Sequence, residues 1–126
     1  MKPHEEWLFK AEQDLKSAEY LLSSPGKLFD AAIYHTQQCA EKALKAYLTK
    51  IELPIEKSHN LIYLCQIAQA TEADFIGLLD AVIILNPYSI MFRYPEGDLL
   101  PTLTELQQAI DAARHVLQFV QKKILP

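Results

Sequence analysis

The stretch "QQCAEKALKAYL", residues 37–48, decides the fold. It holds no glycine or proline, and Ala40, Ala43, Leu44 and Tyr47 recur three and four positions apart. That spacing places apolar side chains on one face of an α-helix. Followed backward through Ile33, Ala32 and Phe29 and forward to Ile51, the same face predicts a helix over roughly Leu28 to Lys50. A second stripe on this helix reads Gln37, Gln38, Glu41, Lys45. Glu41 stands four residues before Lys45, the favourable order for a helical ion pair, worth about 0.2–0.5 kcal/mol on an exposed face.

Working outward, helical periodicity continues on both sides. The first helix is expected over Pro3 to Leu22, with Trp7, Ala11, Leu15, Ala18 and Leu22 as its apolar stripe. Pro3 suits a first turn, and Glu5 and Glu6 complement the positive end of the helix. "SSPGK" at 23–27 breaks it from the second helix. Asp14 falls at the edge of the buried stripe, where a carboxylate needs a partner. In an antiparallel hairpin that partner is Gln38 or Lys42, which makes Asp14 a structural anchor.

After "ELPIEKS", Ser58 is the expected cap of a third helix with Leu61, Leu64, Cys65 and Ala68 on its inner face. Thr71 with Asp74 signals the start of a fourth helix, Glu72 to about Leu85. That helix is apolar on most sides, so it is either central or turned toward another protein molecule. Thr102 and Glu105 form a capping box for a fifth, whose apolar residues run from Leu103 to Ile124. With three glycines in 126 residues and no alternating strand pattern, the expected fold is all-α. It is read as one domain over 1–126, an up-and-down antiparallel bundle of five helices.

Composition narrows the function classes. Half of the residues are apolar, enough for a real core. Twelve basic against sixteen acidic residues give a net charge of −4, which argues against a general polyanion binder but leaves room for a local basic site. No apolar run approaches the roughly 20 residues of a membrane span, and "MKPHEEWLFK" lacks the apolar segment of a signal peptide. Cys39 and Cys65 fall in apolar helical patterns and read as reduced core thiols, consistent with a cytoplasmic protein. The histidines and cysteines show no metal-ligand spacing, no glycine-rich phosphate loop occurs, and no cofactor is implied.

The unusual segment is "FRYPEGD", residues 92–98, inside the proline-rich break before the last helix. It carries Arg93, one of two arginines in the chain. Alternating helix directions would bring this loop, the end of the second helix and the start of the third to one pole. Lys45, Tyr47, Lys50, His59, Arg93 and Tyr94 would then be neighbours. Arg93 can clamp a phosphate through its planar fork, or it can order its own loop by pairing with Glu96, Asp98 or helix-end carbonyls. Tyr94 can stack on a base or pack on the bundle. His59 can act as a general base, or be a helix-start residue bonded to backbone or Tyr47. Gln37, Gln38, Glu41 and Lys45 form either an interface seam or a solvated face.

Taken together, "WLFKAEQDLKSA", "QQCAEKALKAYL", "HNL" and "RYP", in this order, resemble the HEPN family, the nucleotide-binding domains of higher eukaryotes and prokaryotes. The resemblance spans nearly the whole chain. It implies a small helical bundle that pairs as a homodimer and acts with a minimal nucleotidyltransferase in a toxin–antitoxin-type system. Nucleotide or RNA binding is expected at Lys45, His59, Arg93 and Tyr94. Many relatives are metal-independent RNases in which an arginine and a following histidine are separated by four to six residues. Here the corresponding positions after Arg93 include Asp98, Leu99 and Leu100, and after Arg114 they include Phe119, Val120 and Gln121. The nuclease pattern is absent. Catalysis would have to use Arg93 with His59, and a purely structural interaction module is the remaining alternative.

Overall fold

The computed structural model describes residues 1–55 and 57–125; Glu56, inside the "ELPIEKS" connection, and Pro126 lie outside them. Among the described residues there are five α-helices and no strands: α1 (Pro3–Ser23), α2 (Phe29–Lys50), α3 (Leu61–Thr71), α4 (Leu79–Leu85) and α5 (Leu103–Ile124). Short 3₁₀ segments, Ala73–Leu78 and Asn86–Ser89, flank α4. Among the described residues no helix is long and apolar enough to cross a membrane.

The central element is α2, with 13 of its 22 residues buried. Alanines at 32, 40, 43 and 46 let neighbouring helices approach closely, while Ile33, Leu44 and Leu48 fill the space between them. α1 lies antiparallel against it, so that Trp7 meets Lys45 while Asp14 meets His35 and Lys42. The turn between them uses left-handed backbone at Gly26 (φ 96) and Lys27 (φ 51). α5 runs antiparallel to α1, joined by Arg114–Glu19 at 2.8 Å and Gln121–Glu12 at 3.1 Å. Its Thr102–Glu105 capping box forms as the sequence predicts.

Strict alternation of direction fails at one place. The chain does not simply turn after α2; residues 51–55 and 57–60 carry it back along that helix. The Leu53 amide donates to Leu48 O, and by residue 59 the chain has returned to the height of Gln37, whose Nε2 donates to His59 O at 3.1 Å. α3 therefore starts near the first half of α2 and runs parallel to it, ending where Thr71 Oγ1 meets the Tyr47 hydroxyl at 3.1 Å. α4 brings the chain back, and Asn86 Oδ1 accepts the Leu61 amide at 2.7 Å. The start of α3 and the loop after α4 thus share an end of the bundle. The end of α2, with Tyr47 and Lys50, lies at the other.

Two local expectations are corrected. Asn60, not Ser58, caps α3: its Oδ1 accepts the amides of Ile62 and Tyr63, while Ser58 Oγ accepts the Asn60 amide one step earlier. The fourth helix is split. Thr71 Oγ1 donates to Ala68 O and so closes α3 instead of opening a new helix. The chain resumes as a 3₁₀ segment through Gly77, a poor α-former, before seven residues of α-helix. Phe75, at the heart of that segment, packs on Tyr47 and Phe119 at ring distances of 4.4 and 4.9 Å. The outer side leaves Ile76, Ile83 and Ile84 exposed, so this apolar segment is peripheral and not central.

Candidate functional site

The glutamine–glutamate–lysine stripe of α2 turns inward. Gln37 is 0% exposed, Glu41 3% and Lys45 6%, so the seam or solvated face expected there is not a surface of the protomer; Gln38 alone is half-buried. The physical reason is cover from two sides: the returning chain brings His59 onto Gln37 and Glu41, and α1 brings Trp7 over Lys45. Glu41 is the hub. Its Oε2 accepts from Lys45 Nζ at 3.0 Å, and its Oε1 accepts from His59 Nδ1 at 2.8 Å. The side-chain amides of Gln37 and Gln38 reach the same Oε1 at 3.4 and 3.5 Å. Burying a carboxylate is costly unless it is paired and hydrogen-bonded, as it is here. Lys45 is enclosed from the other side by the Trp7 ring, 5.7 Å from its centroid. Its ammonium is held between the Glu41 carboxylate and that ring.

His59 lies at the boundary. An ionised carboxylate can only accept, so Nδ1 carries the proton donated to Glu41 and Nε2 is the remaining nitrogen. The ring is 71% exposed. An imidazole oriented through Nδ1 by a carboxylate and open at Nε2 is equipped for proton transfer or for contact with an anion. Its partner is neither backbone nor Tyr47, as the structural reading of the sequence suggested, but Glu41.

Arg93 reaches the same face of α2 from the other loop. Its guanidinium carbon lies 4.0 Å from the Tyr34 ring centroid. Among the described residues no carboxylate pairs with it, so the loop-ordering pairs with Glu96 or Asp98 do not form. Cation–π contact holds the group without consuming its N–H donors. Arg114 shows the opposite case, with Glu19 at 2.8 Å and Asp111 at 3.1 Å. The Glu19 hydrogen bond, foremost, pushes its pKa further up. Tyr34, Gln37 and Glu41 are spaced three and four apart, so they line one helix face. Seven residues separate the Arg93 support from the His59 support, roughly 10 Å of helical rise. Arg93 and His59 therefore flank one strip without touching the same residue.

Tyr94 is 63% exposed and, with Pro87, Ile90, Met91, Phe92 and Glu96, lines an open cavity of about 300 Å³ beside Arg93. The loop is held by the stacked Tyr88 and Phe92 rings, 6.1 Å apart, and Phe92 adopts left-handed backbone (φ 69). For a bulky residue that conformation costs of the order of 1–3 kcal/mol and persists only where packing enforces it.

Sequence reasoning missed Tyr34, Trp7 and Asn86 as supports of this region. Tyr34 had a readable signal, its helical spacing to Gln37 and Glu41. Both cysteines are buried and unpaired, and burial pushes their thiols upward in pKa, as expected of inert core residues. Among the described residues no group of three or more His, Cys, Asp or Glu side chains is placed to hold a metal ion.

An all-helical bundle with these motifs in this order defines a class, and the class has a name. A family model described as the HEPN domain matches residues 4–124, and the chain belongs to that family. Over 126 aligned residues it is 29% identical to "Putative toxin MJ1304" of Methanocaldococcus jannaschii, covering 89% of this chain and 82% of that protein. It also superposes on two crystal structures, each covering 98% of this chain and 99% of the other. One is ST0689, an archaeal HEPN homologue, at 29% identity and a TM-score of 0.79. The other is TT1696 from Thermus thermophilus, at 27% identity and a TM-score of 0.81.

Proposed function

We propose that this protein is the HEPN component of a two-protein toxin–antitoxin-type system, acting as a homodimer with a minimal nucleotidyltransferase partner. In this reading it engages nucleotide or RNA phosphate at the surface flanked by Arg93 and the exposed His59 ring. Family membership and similarity to a protein named as a toxin support the general role. One observation carries the site: Arg93 is held over Tyr34 with no carboxylate partner among the described residues, on the helix face that also orients His59. A guanidinium so placed retains its fork of donors for an incoming oxyanion.

The test is a titration of nucleotides and short RNAs against the wild type and Arg93→Ala. Measurable wild-type binding that weakens at least tenfold in the variant supports the site. Equal, negligible binding by both removes it.

A second reading is favoured by the His59–Glu41 geometry. An exposed imidazole oriented by a buried carboxylate is the general-base arrangement that a metal-independent RNase requires. Cleavage assayed in chelator should then disappear in His59→Ala. Activity unchanged by that substitution, or absent from the wild type, ends the nuclease reading and leaves binding alone.

A further inference from the structure

The cavity in the loop after α4 is open and largely apolar, with one ionisable acid, Glu96, among its lining residues. Pro87, Ile90, Met91 and Phe92 contribute the apolar part, Tyr94 an exposed aromatic ring, and Glu96 a carboxylate. Arg93 and Glu96 stand three residues apart with opposite charge, yet no ion pair joins them; the guanidinium goes to Tyr34 instead. The Glu96 amide donates to Tyr94 O at 2.8 Å, closing a tight turn around Pro95. Both charged groups therefore remain available to something outside the chain, on a loop stiffened by the Tyr88–Phe92 stack.

We propose that this cavity is a base subsite and that it selects guanine, a reading that rests on the phosphate role of Arg93 proposed above. A flat ring suits a largely apolar cavity with an aromatic wall, since every base offers a π-face for stacking. The carboxylate supplies the choice. Guanine presents two adjacent donors, N1–H and the N2 amino group, which match the two oxygens of a carboxylate. Adenine presents a donor beside an acceptor, cytosine likewise, and uracil a single donor between two acceptors. Each of these sets a lone pair against Glu96. The phosphate, outside the cavity, is the group left for Arg93, which belongs to the same loop.

Isothermal titration of the full chain with GMP, AMP, CMP and UMP tests this. GMP should bind the wild type about tenfold tighter than AMP, the scale of one bidentate base contact. Glu96→Gln should weaken GMP and tighten AMP, so that the preference is lost or reversed, because the amide offers a donor beside an acceptor and matches adenine in place of guanine. Arg93→Ala should weaken all four. Equal wild-type affinities for the four nucleotides, or a GMP preference that survives Glu96→Gln, overturns the guanine subsite. If those equal affinities still fall in Arg93→Ala, the phosphate reading stands without it. No binding of any nucleotide overturns both.

Discussion

Two carboxylates lie beneath the surface of this bundle, and each meets one lysine and one imidazole. Asp14, on α1, accepts from His35 Nδ1 at 2.8 Å and Lys42 Nζ at 2.7 Å, both on α2. Glu41, on α2, accepts from Lys45 on its own helix and from His59 on the returning loop. The chemistry is nearly the same and the outcome differs. The Asp14 trio bridges two long helices, and its His35 ring is 33% exposed, edge-on to Tyr34. The Glu41 trio ends in an imidazole more than twice as open to solvent. A carboxylate clamped between helices is a fastener. One that anchors an exposed ring on a loop is a support for something that faces outward.

The comparison breaks first at Glu41. Glu41→Ala leaves the Lys45 ammonium, 6% exposed, without its counter-charge, and also frees Gln37 Nε2 from one of its acceptors. The expected loss is about 3–5 kcal/mol in chemical unfolding, since an orphaned buried charge is the costly element. Glu41→Leu combined with Lys45→Met should recover much of it, because an apolar pair of similar volume removes both charges together. If Glu41→Ala costs under about 1 kcal/mol, the buried-hub description is wrong.

How much of this is legible in the sequence depends on whether a signal is local. Helix periodicity, the Thr102–Glu105 box and the approach of Asp14 to Gln38 or Lys42 are set by spacing within one or two helices, and the sequence shows them; the structure selects Lys42. The inward turn of Gln37, Glu41 and Lys45 is not local. Helical spacing puts these residues together but does not say what covers them, and part of the cover is a loop that runs backward from residue 51. A loop of that length reads equally well as a simple reversal, and that reading puts the shared pole at the wrong end of α2. Arg93 and His59 still meet one face, because α3 and the loop after α4 are tied together by Asn86. The pairing of Arg93 with Tyr34 is hidden for a different reason. Nearby Glu96 and Asp98 offer an electrostatic partner in sequence, whereas the left-handed turn at Phe92 redirects the chain.

At Asp14 the expected effect is smaller. Asp14→Ala should cost about 1–3 kcal/mol, because Lys42 and His35 are only part-buried and can hydrate once released. The effect carries a pH signature. Burial raises the Asp14 carboxyl, but the hydrogen bonds from His35 and Lys42 outweigh it and hold its pKa below the ordinary value. A carboxyl depressed in the folded state adds stability that is fully present above the unfolded value and lost as pH falls through the folded one. The stability gap between wild type and Asp14→Asn should therefore shrink as pH falls below about 4. Urea midpoints above and below that pH decide it, and a gap that fails to shrink in acid refutes the clamp.

The smallest expected effect separates the two imidazoles. His35→Ala removes a partly buried ring from the interhelical clamp and should cost about 1–2 kcal/mol, in the range of a charge-assisted hydrogen bond with some packing. His59→Ala removes a ring that is mostly in water. Glu41 keeps Lys45 and both glutamine amides, so the loss should stay near or below about 1 kcal/mol. Ligand affinity should show the reverse order, with His59→Ala weakening RNA binding and His35→Ala leaving it unchanged. Equal stability losses with no change in binding would make His59 a second fastener, and the outward-facing role would pass to Arg93 alone.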